Sequence, residues 1–168
     1  NNKNESTLAA RLRNERAFSL LMTADAAAQL VKDGMTIGVS GFTPSGYPKA
    51  VPLALAERAK KGDKFKVDLY TGASVGPEID SAWTEAGIIR RRFPYQTNAS
   101  LRKDINGGKV AYADMHLSQC AQLISSGALK PVDIAIVEAL CKSAEADGCK
   151  SPKAPDSRST ELNRSINL

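Results

Sequence analysis

Five short apolar runs, rich in β-branched residues, punctuate the chain and predict five β-strands. They occupy residues 35–40, 66–71, 88–91, 110–113 and 132–137. Their first residues are 31, 22, 22 and 22 positions apart, which leaves room for one helix between each strand and the next. This spacing predicts an α/β fold, an open and mainly parallel sheet with helices on both faces.

The run over residues 132–137 contains one polar residue, Asp133. A nearly uninterrupted apolar run is typical of a strand that is buried on both faces. We therefore expect this strand to lie at the centre of the sheet.

Helical periodicity fills the segments between the strands, over residues 49–61, 78–86, 98–105 and 117–126. A glycine follows each segment, where a left-handed residue commonly ends a helix; these are Gly62, Gly87, Gly107 and Gly127. Residues 5–32 are also expected to be helical. Thr23 is the predicted N-cap of their second segment, and Gly34 is expected to end it.

The 168 residues allow one domain of ordinary size, and a hydrophobic content of 42% supports a real core. From residue 141 onward the chain has no aromatic residue and is rich in Lys, Ser, Asp and Pro. We therefore expect an α/β domain over residues 1–140 and a polar tail, or the start of a truncated linker, over residues 141–168. No apolar stretch approaches the roughly 18 residues of a membrane span, and a secretory signal is not visible, so a soluble protein with no membrane partner is expected.

The net charge of +5 suits a small anionic ligand better than a nucleic acid. The basic runs at 60–61 and 90–92 are not interleaved with stacking aromatic residues, so no nucleic-acid partner is expected. The cysteines, Cys120, Cys141 and Cys149, form no CxxC pair. Their odd number argues against a disulfide framework, and we expect a reducing compartment and no metal site.

Turn-rich segments follow four of the predicted strands, at residues 40–48, 72–78, 94–98 and 114–116. Because ligands bind beyond the carboxyl ends of parallel strands, four such loops on one edge predict a binding site, although each loop alone fits an ordinary tight turn. The chain has no GxGxxG and no GxxxxGK[ST], which disfavours nucleotide hydrolysis. Backbone N–H groups in these loops suit a phosphate and an acyl oxyanion alike.

Several single residues at this edge admit a functional and a structural interpretation. His116 follows Asp114 as a conceivable base and carboxylate, but a lone histidine is more often structural. The basic run at 90–92 fits either phosphate binding or a solvated strand edge. Glu138 either faces the cleft or caps a strand, and Cys120 is expected in the core.

Ser74 lies in the sequence GASVG, which has the GxSxG letters of a nucleophile elbow. However, the next helix is expected only after Pro77, and Asp114 and His116 are too close together to supply an ordinary triad. These observations disfavour a serine hydrolase.

At these loops the sequence resembles the acetyl-CoA hydrolase/transferase family. The resemblance rests on five ordered blocks over about residues 17–140: SGFTPSGYPKAVP from residue 40, LYTGASVGP from 69, PYQT from 94 with LR and INGG after it, DMHLSQ from 114, and VEA from 137.

The resemblance implies the amino-terminal half of a two-half α/β CoA-transferase, which moves CoA between small carboxylates such as acetate and succinate. It implies a glutamyl-CoA thioester whose glutamate lies in the carboxy-terminal half, so that no catalytic nucleophile is expected in this chain. CoA enters as the substrate acyl-CoA rather than as a resident cofactor. The residues that match the family's pocket are Gly41, Phe42, Thr43, Gly72, Ala73 and Ser74. Ser74 is expected to support the cleft as a polar group and not to attack.

After residue 139 the sequence departs from the family pattern, so the isolated chain is expected to be inactive. The resemblance implies acyl-CoA, small carboxylates and the carboxy-terminal half as partners. It also implies that the complete enzyme is a homo-oligomer, and that it is located in the cytoplasm or in mitochondria. One alternative is a non-catalytic binding or assembly half-domain. A less favoured one is a sugar-phosphate isomerase-like protein, which would need a base and a phosphate clamp within this chain.

Overall fold

The computed structural model describes residues 15–42 and 45–138, which contain one five-stranded sheet. Its strands are β1 (Thr36–Val39), β2 (Val67–Thr71), β3 (Ile89–Phe93), β4 (Ala111–Tyr112) and β5 (Ile134–Ile136). They lie in the order β4-β3-β2-β1-β5, and every pairing is parallel. The five predicted strands and the parallel α/β architecture are confirmed.

A short 3₁₀ helix (Glu15–Leu20) precedes five α-helices in the described part of the chain. The α-helices are α1 (Ala24–Leu30), α2 (Ala50–Lys60), α3 (Asp80–Glu85), α4 (Ala99–Asn106) and α5 (Leu117–Ser125). Among these residues, no helix is both long enough and apolar enough to cross a membrane.

The helices divide between the two faces of the sheet because the strand order reverses once. From β1 to β4 the chain steps across the sheet in one direction, so right-handed connections place α2, α3 and α4 on one face. There α1 packs on α2, α2 on α3, and α3 on α4. The connection from β4 to β5 runs back in the opposite direction and places α5 on the other face, where Cys120 lies near Tyr70 of β2.

The hydrophobic core lies between the sheet and the row of four helices. Ile37 of β1 and Leu69 of β2 are completely buried there, together with Leu55 of α2 and Trp83 of α3. The indole N–H of Trp83 donates a hydrogen bond to the carbonyl oxygen of Pro52 at 2.8 Å. This bond satisfies a buried donor and ties α3 to α2.

β5 lies at an edge of the sheet, so the prediction that it is central was wrong. Within the described residues it pairs with β1 alone, whereas β2 is buried at every position. Val132 and Val137, which flank β5, are 36% and 43% exposed. An apolar run indicates that its side chains prefer to be buried. The position of a strand within the sheet depends instead on which strands it pairs with.

The predicted cap at Thr23 is confirmed, because its hydroxyl accepts a hydrogen bond from the N–H of Ala26 at 3.1 Å. Two glycine predictions need correction. The helix ends at Leu30, and Gly34 adopts its left-handed conformation in the turn before β1. Gly107 has a φ of −80°, and Gly108 takes the left-handed conformation instead, at 72°. The helix predicted over residues 5–14 lies outside the described residues.

Candidate functional site

The loops after β1 and β2 meet at the carboxyl edge of the sheet, beside the point where the strand order reverses between β1 and β5. At such a point the connections leave in opposite directions and open a crevice, which is where open α/β sheets bind ligands. A Cβ atom on Gly72 would lie 3.7 Å from the carbonyl oxygen of Gly41, so the two loop backbones lie close together.

Gly41 is required by both its conformation and its neighbours. Its φ of 149° is one that residues with a side chain rarely adopt, and a Cβ there would lie 2.7 Å from Cβ of Tyr47. The same atom would lie 3.2 Å from Cγ1 of Val75, in the second loop. The absence of a side chain therefore lets the two loops pack closely.

Tyr47 connects the two loops. Its ring lies where a side chain on Gly76 would stand, since a Cβ on that glycine would be 2.0 Å from the phenolic oxygen. The hydroxyl donates a hydrogen bond to Oε2 of Glu78 at 2.8 Å. Burial, followed by this hydrogen bond and the charges of Glu78 and Glu138, raises the pKa of Tyr47 to about 12. The hydroxyl therefore stays protonated at neutral pH and remains a donor.

Lys49 and Ser40 join the end of β5 to the loop after β1. The ammonium of Lys49 forms an ion pair with Oε1 of Glu138 at 3.2 Å and donates to the carbonyl oxygen of Tyr47 at 2.8 Å. The hydroxyl of Ser40 accepts a hydrogen bond from the N–H of Glu138 at 3.3 Å. The Glu138 carboxylate therefore lies beside the loop after β1, where it is paired with Lys49. That it faces the cleft stays a prediction.

The structure places the sequence-predicted pocket residues in different environments. Gly41 and Gly72 lie next to each other, and Phe42 is 73% exposed. Ala73 and Ser74 are buried, at 9% and 3% exposure. Thr43 lies outside the described residues. Their roles as pocket residues therefore stay predictions.

The loop from β2 to α3 does not form a nucleophile elbow. The hydroxyl of Thr71 donates a hydrogen bond to the carbonyl oxygen of Ala73 at 2.6 Å and closes a turn before the serine. The next helix begins at Asp80, not at Ser74. This agrees with the sequence argument against a serine hydrolase.

The basic run at 90–92 is largely engaged in internal ion pairs. Arg92 is completely buried, with Nε 3.2 Å from Oδ1 of Asp80, which is also completely buried. Arg90 donates two hydrogen bonds of 2.8 Å to the carboxylate of Asp68. Arg91 is 53% exposed and lies 3.9 Å from the same carboxylate. For Arg92, neither phosphate binding nor a solvated strand edge fits the structure.

Asp80 connects this ion pair to the loop that carries Ser74. Burial raises the pKa of Asp80, while the Arg92 charge and hydrogen bonds from Arg92 and from the backbone N–H of Val75 lower it, and burial has the larger effect. The carboxylate therefore binds β3 and the loop after β2 at once. Sequence reasoning missed this pair, since an acidic residue in the first turn of a helix gives no signal of burial.

His116 lies apart from these loops, near the end of β4. It lines a cavity of about 450 Å³ together with Tyr95, Asp114, Met115 and Leu117. One carboxylate oxygen of Asp114 accepts a hydrogen bond from the N–H of Met115 at 2.9 Å. His116 is the N-cap of α5, and its side chain makes no capping hydrogen bond.

Cys120 of α5 is half-buried rather than part of the core, so that prediction was wrong. Burial raises the pKa of its thiol, which favours the unreactive protonated form. Cys120 is only half-buried because, within the described residues, no other helix packs beside α5 on that face of the sheet. Among the residues that the structure describes, no three His, Cys, Asp or Glu side chains are grouped to hold a metal ion.

Comparison with known families gives a match over most of the chain. Residues 7–149 match the family described as acetyl-CoA hydrolase/transferase N-terminal domain. Succinyl-CoA:acetate CoA-transferase of Clostridium kluyveri is 51% identical over 138 residues, which cover 82% of this chain and 26% of that protein. Acetyl-CoA hydrolase of Schizosaccharomyces pombe is 36% identical over 146 residues, 80% of this chain and 28% of that protein. The chain thus spans about a quarter of the length of these relatives.

Solved structures share the fold at lower identity. The acyl-CoA transferase YdiF of Escherichia coli O157:H7 superimposes with a TM-score of 0.55 at 14% identity, over 64% of this chain and 22% of that one. RipA of Yersinia pestis superimposes with a TM-score of 0.54 at 19% identity, over 79% of this chain and 30% of that one.

Proposed function

Since the chain belongs to the acetyl-CoA hydrolase/transferase family, as its N-terminal domain, we propose that it forms the amino-terminal half of an enzyme that moves CoA between small carboxylates such as acetate and succinate. The observation that carries this proposal is the 51% identity to a succinyl-CoA:acetate CoA-transferase. It also favours this function over a sugar-phosphate isomerase.

The proposed reaction proceeds through covalent intermediates on a glutamate of the carboxy-terminal half. The glutamate carboxylate attacks the acyl-CoA carbonyl and expels CoA thiolate, which gives an acyl-glutamyl anhydride. The thiolate then attacks the glutamyl carbonyl and releases the first carboxylate, which leaves a glutamyl-CoA thioester. An acceptor carboxylate reverses these steps, whereas water at the thioester gives hydrolysis. Several easier steps thus replace one difficult transfer.

Both glutamates next to the two loops are already engaged, which supports the proposal that the nucleophile lies outside this chain. Glu78 accepts the hydrogen bond from Tyr47, and Glu138 is paired with Lys49. A carboxylate that is paired with a cation or accepts a hydrogen bond is a weaker nucleophile than one without such a partner. We therefore assign both glutamates to support of the loops.

The proposed role of this chain is to form one wall of the acyl pocket. Gly41, Phe42 and Thr43 would shape it from the loop after β1, and Gly72, Ala73 and Ser74 from the loop after β2. The proximity of Gly41 and Gly72 supports a shared wall. The compartment, cytoplasm or mitochondrion, the homo-oligomer, the absence of a metal and the domain boundary near residue 140 stay predictions.

The test is the transferase and thioesterase activity of this chain with acetyl-CoA, in the presence and absence of succinate. We expect no activity from the chain alone and activity after the carboxy-terminal half of a family member is added. Activity of the chain alone would contradict the assignment of the nucleophile to the other half. A chain that binds the carboxy-terminal half without activity would instead support the non-catalytic assembly module.

In the complete enzyme, Ser74→Ala should lower kcat about tenfold, because a buried hydroxyl that supports developing charge contributes on the order of 1 kcal/mol to transition-state stabilisation. Thermal unfolding should change little, since the substitution removes one oxygen atom and leaves the backbone in place. The matched control is Ser125→Ala, at the exposed end of α5. A Ser74→Ala enzyme with the kcat of the unmodified protein would remove Ser74 from the site.

A further inference from the structure

We propose that Tyr47 is a positioning residue of this site, which fixes the loop carrying Ser74 against the loop after β1 through its ring and its hydroxyl. This inference rests on the proposed function for its effect on turnover, but the structural connection itself does not depend on that function.

The side chain of Tyr47 fills the space that two glycines leave open. A Cβ on Gly41 would lie 2.7 Å from Cβ of Tyr47, and a Cβ on Gly76 would lie 2.1 Å from its Cζ. Both distances are far below van der Waals contact, so the backbone at Gly41 lies against Cβ of Tyr47, and the backbone at Gly76, in the other loop, lies against its ring. Tyr47 is 5% exposed, so its ring is buried rather than lying on the surface.

The hydroxyl adds a directional bond to this packing. It donates to Oε2 of Glu78 at 2.8 Å, across 31 positions of sequence. Since Glu78 lies between Gly76 and the start of α3, the bond holds the carboxy-terminal end of the loop that contains Ser74. A hydrogen bond from a neutral donor to a carboxylate is stronger than one between neutral groups.

Lys49 fixes the position of Tyr47 from the other side. Its ammonium lies 4.2 Å from the centre of the Tyr47 ring, donates to the Tyr47 carbonyl oxygen and pairs with Glu138. The tyrosine is thereby attached to α2 and to the end of β5. Tyr47 thus lies between a rigid frame on one side and the loop that carries Ser74 on the other. This arrangement is expected of a residue that positions Ser74.

The experiment compares two tyrosine-to-phenylalanine changes in the full-length enzyme. Tyr70 is a matched control, because it is also 5% exposed and lies on the face of the sheet opposite the four-helix row, near Cys120 of α5. Both changes remove a buried hydroxyl, and both should lower the unfolding temperature slightly. We expect Tyr47→Phe to lower kcat about tenfold with KM nearly unchanged, and Tyr70→Phe to leave kcat within twofold.

Glu78→Ala should lower kcat by the same factor as Tyr47→Phe, and the double variant should be no slower than either single one. Additive losses would show that the two side chains do not act through one bond. If Tyr70→Phe lowers kcat as much as Tyr47→Phe does, the effect of Tyr47→Phe is explained by general destabilisation. Either result would overturn the proposal.

Amide hydrogen exchange in the same proteins provides a readout that does not need activity. Exchange at the amides of residues 74–76 and 78 should become several-fold faster in Tyr47→Phe and stay unchanged in Tyr70→Phe. If the unmodified enzyme transfers no CoA, the proposed function fails while this measurement still tests the connection between the loops. Unchanged exchange in Tyr47→Phe would contradict the inference whatever the activity.

Discussion

Replacing Arg92 with Met should destabilise this chain by about 3–5 kcal/mol at neutral pH, because it leaves the carboxylate of Asp80 buried without its cation. Both side chains are completely buried, with the guanidinium Nε 3.2 Å from the carboxylate. Chemical denaturation should therefore show a much lower midpoint with an unchanged dependence on denaturant.

The loss in Arg92→Met should depend on pH. Burial already raises the pKa of Asp80, and removing Arg92 removes the positive charge that lowers it. A carboxyl group whose folded pKa lies above its unfolded value stabilises the fold when protonated, and this contribution is lost as the pH rises through the folded pKa. The difference in unfolding free energy between Arg92→Met and the unmodified chain should therefore be larger at about pH 8 than at about pH 5.

Arg91→Met is the matched control, since Arg91 immediately precedes Arg92 in the same strand and its side chain is 53% exposed. Its cost should stay below about 1 kcal/mol, as for other surface ion pairs. Adding Asp80→Leu to Arg92→Met should restore part of the lost stability, because no buried charge then remains. Equal losses in Arg91→Met and Arg92→Met would contradict the buried pair.

Gly76→Ala should be the most damaging single-methyl change in the loops, costing about 1–3 kcal/mol or more. The added Cβ would lie 2.0 Å from the phenolic oxygen and 2.5 Å from Cε2 of Tyr47. Neither the packed ring nor the loop backbone can accept this without a shift. The prediction is checked by thermal unfolding, and displacement of the ring should make hydrogen exchange faster at the amides of residues 74–76 and 78.

Gly72→Ala, in the same loop, separates this clash from a general effect of adding a methyl group. A Cβ there would lie 3.7 Å from the carbonyl oxygen of Gly41, which is ordinary contact. Neither glycine has a positive φ, so backbone strain does not distinguish them. We expect Gly72→Ala to unfold within about 0.5 kcal/mol of the unmodified chain. A similar loss in both variants would mean that the Tyr47 ring does not restrict Gly76.

Some features of the site could be predicted from the sequence because they depend on neighbouring residues. The glycine loops were found from their composition and from their place after predicted strands. The buried pair of Asp80 and Arg92 could not be predicted in this way. Arg92 belongs to a run of three arginines, and nothing in the run itself shows which of them is buried. Arg92 is completely buried, whereas Arg91 is half exposed on the opposite side of the strand. The alternation of a strand places them so, but the partner of each depends on what packs there.

The sequence by itself determined the five strands, the helices between them and the family, because apolar periodicity, capping residues and loop motifs are local properties of the chain. The tertiary structure decided that β5 lies at an edge, that Tyr47 fills the space beside Gly76, and that Glu78 is its acceptor. The physical reason is that these are contacts between distant parts of the chain. They are set by the order in which strands pair and by the side chains that meet there, which local patterns do not encode.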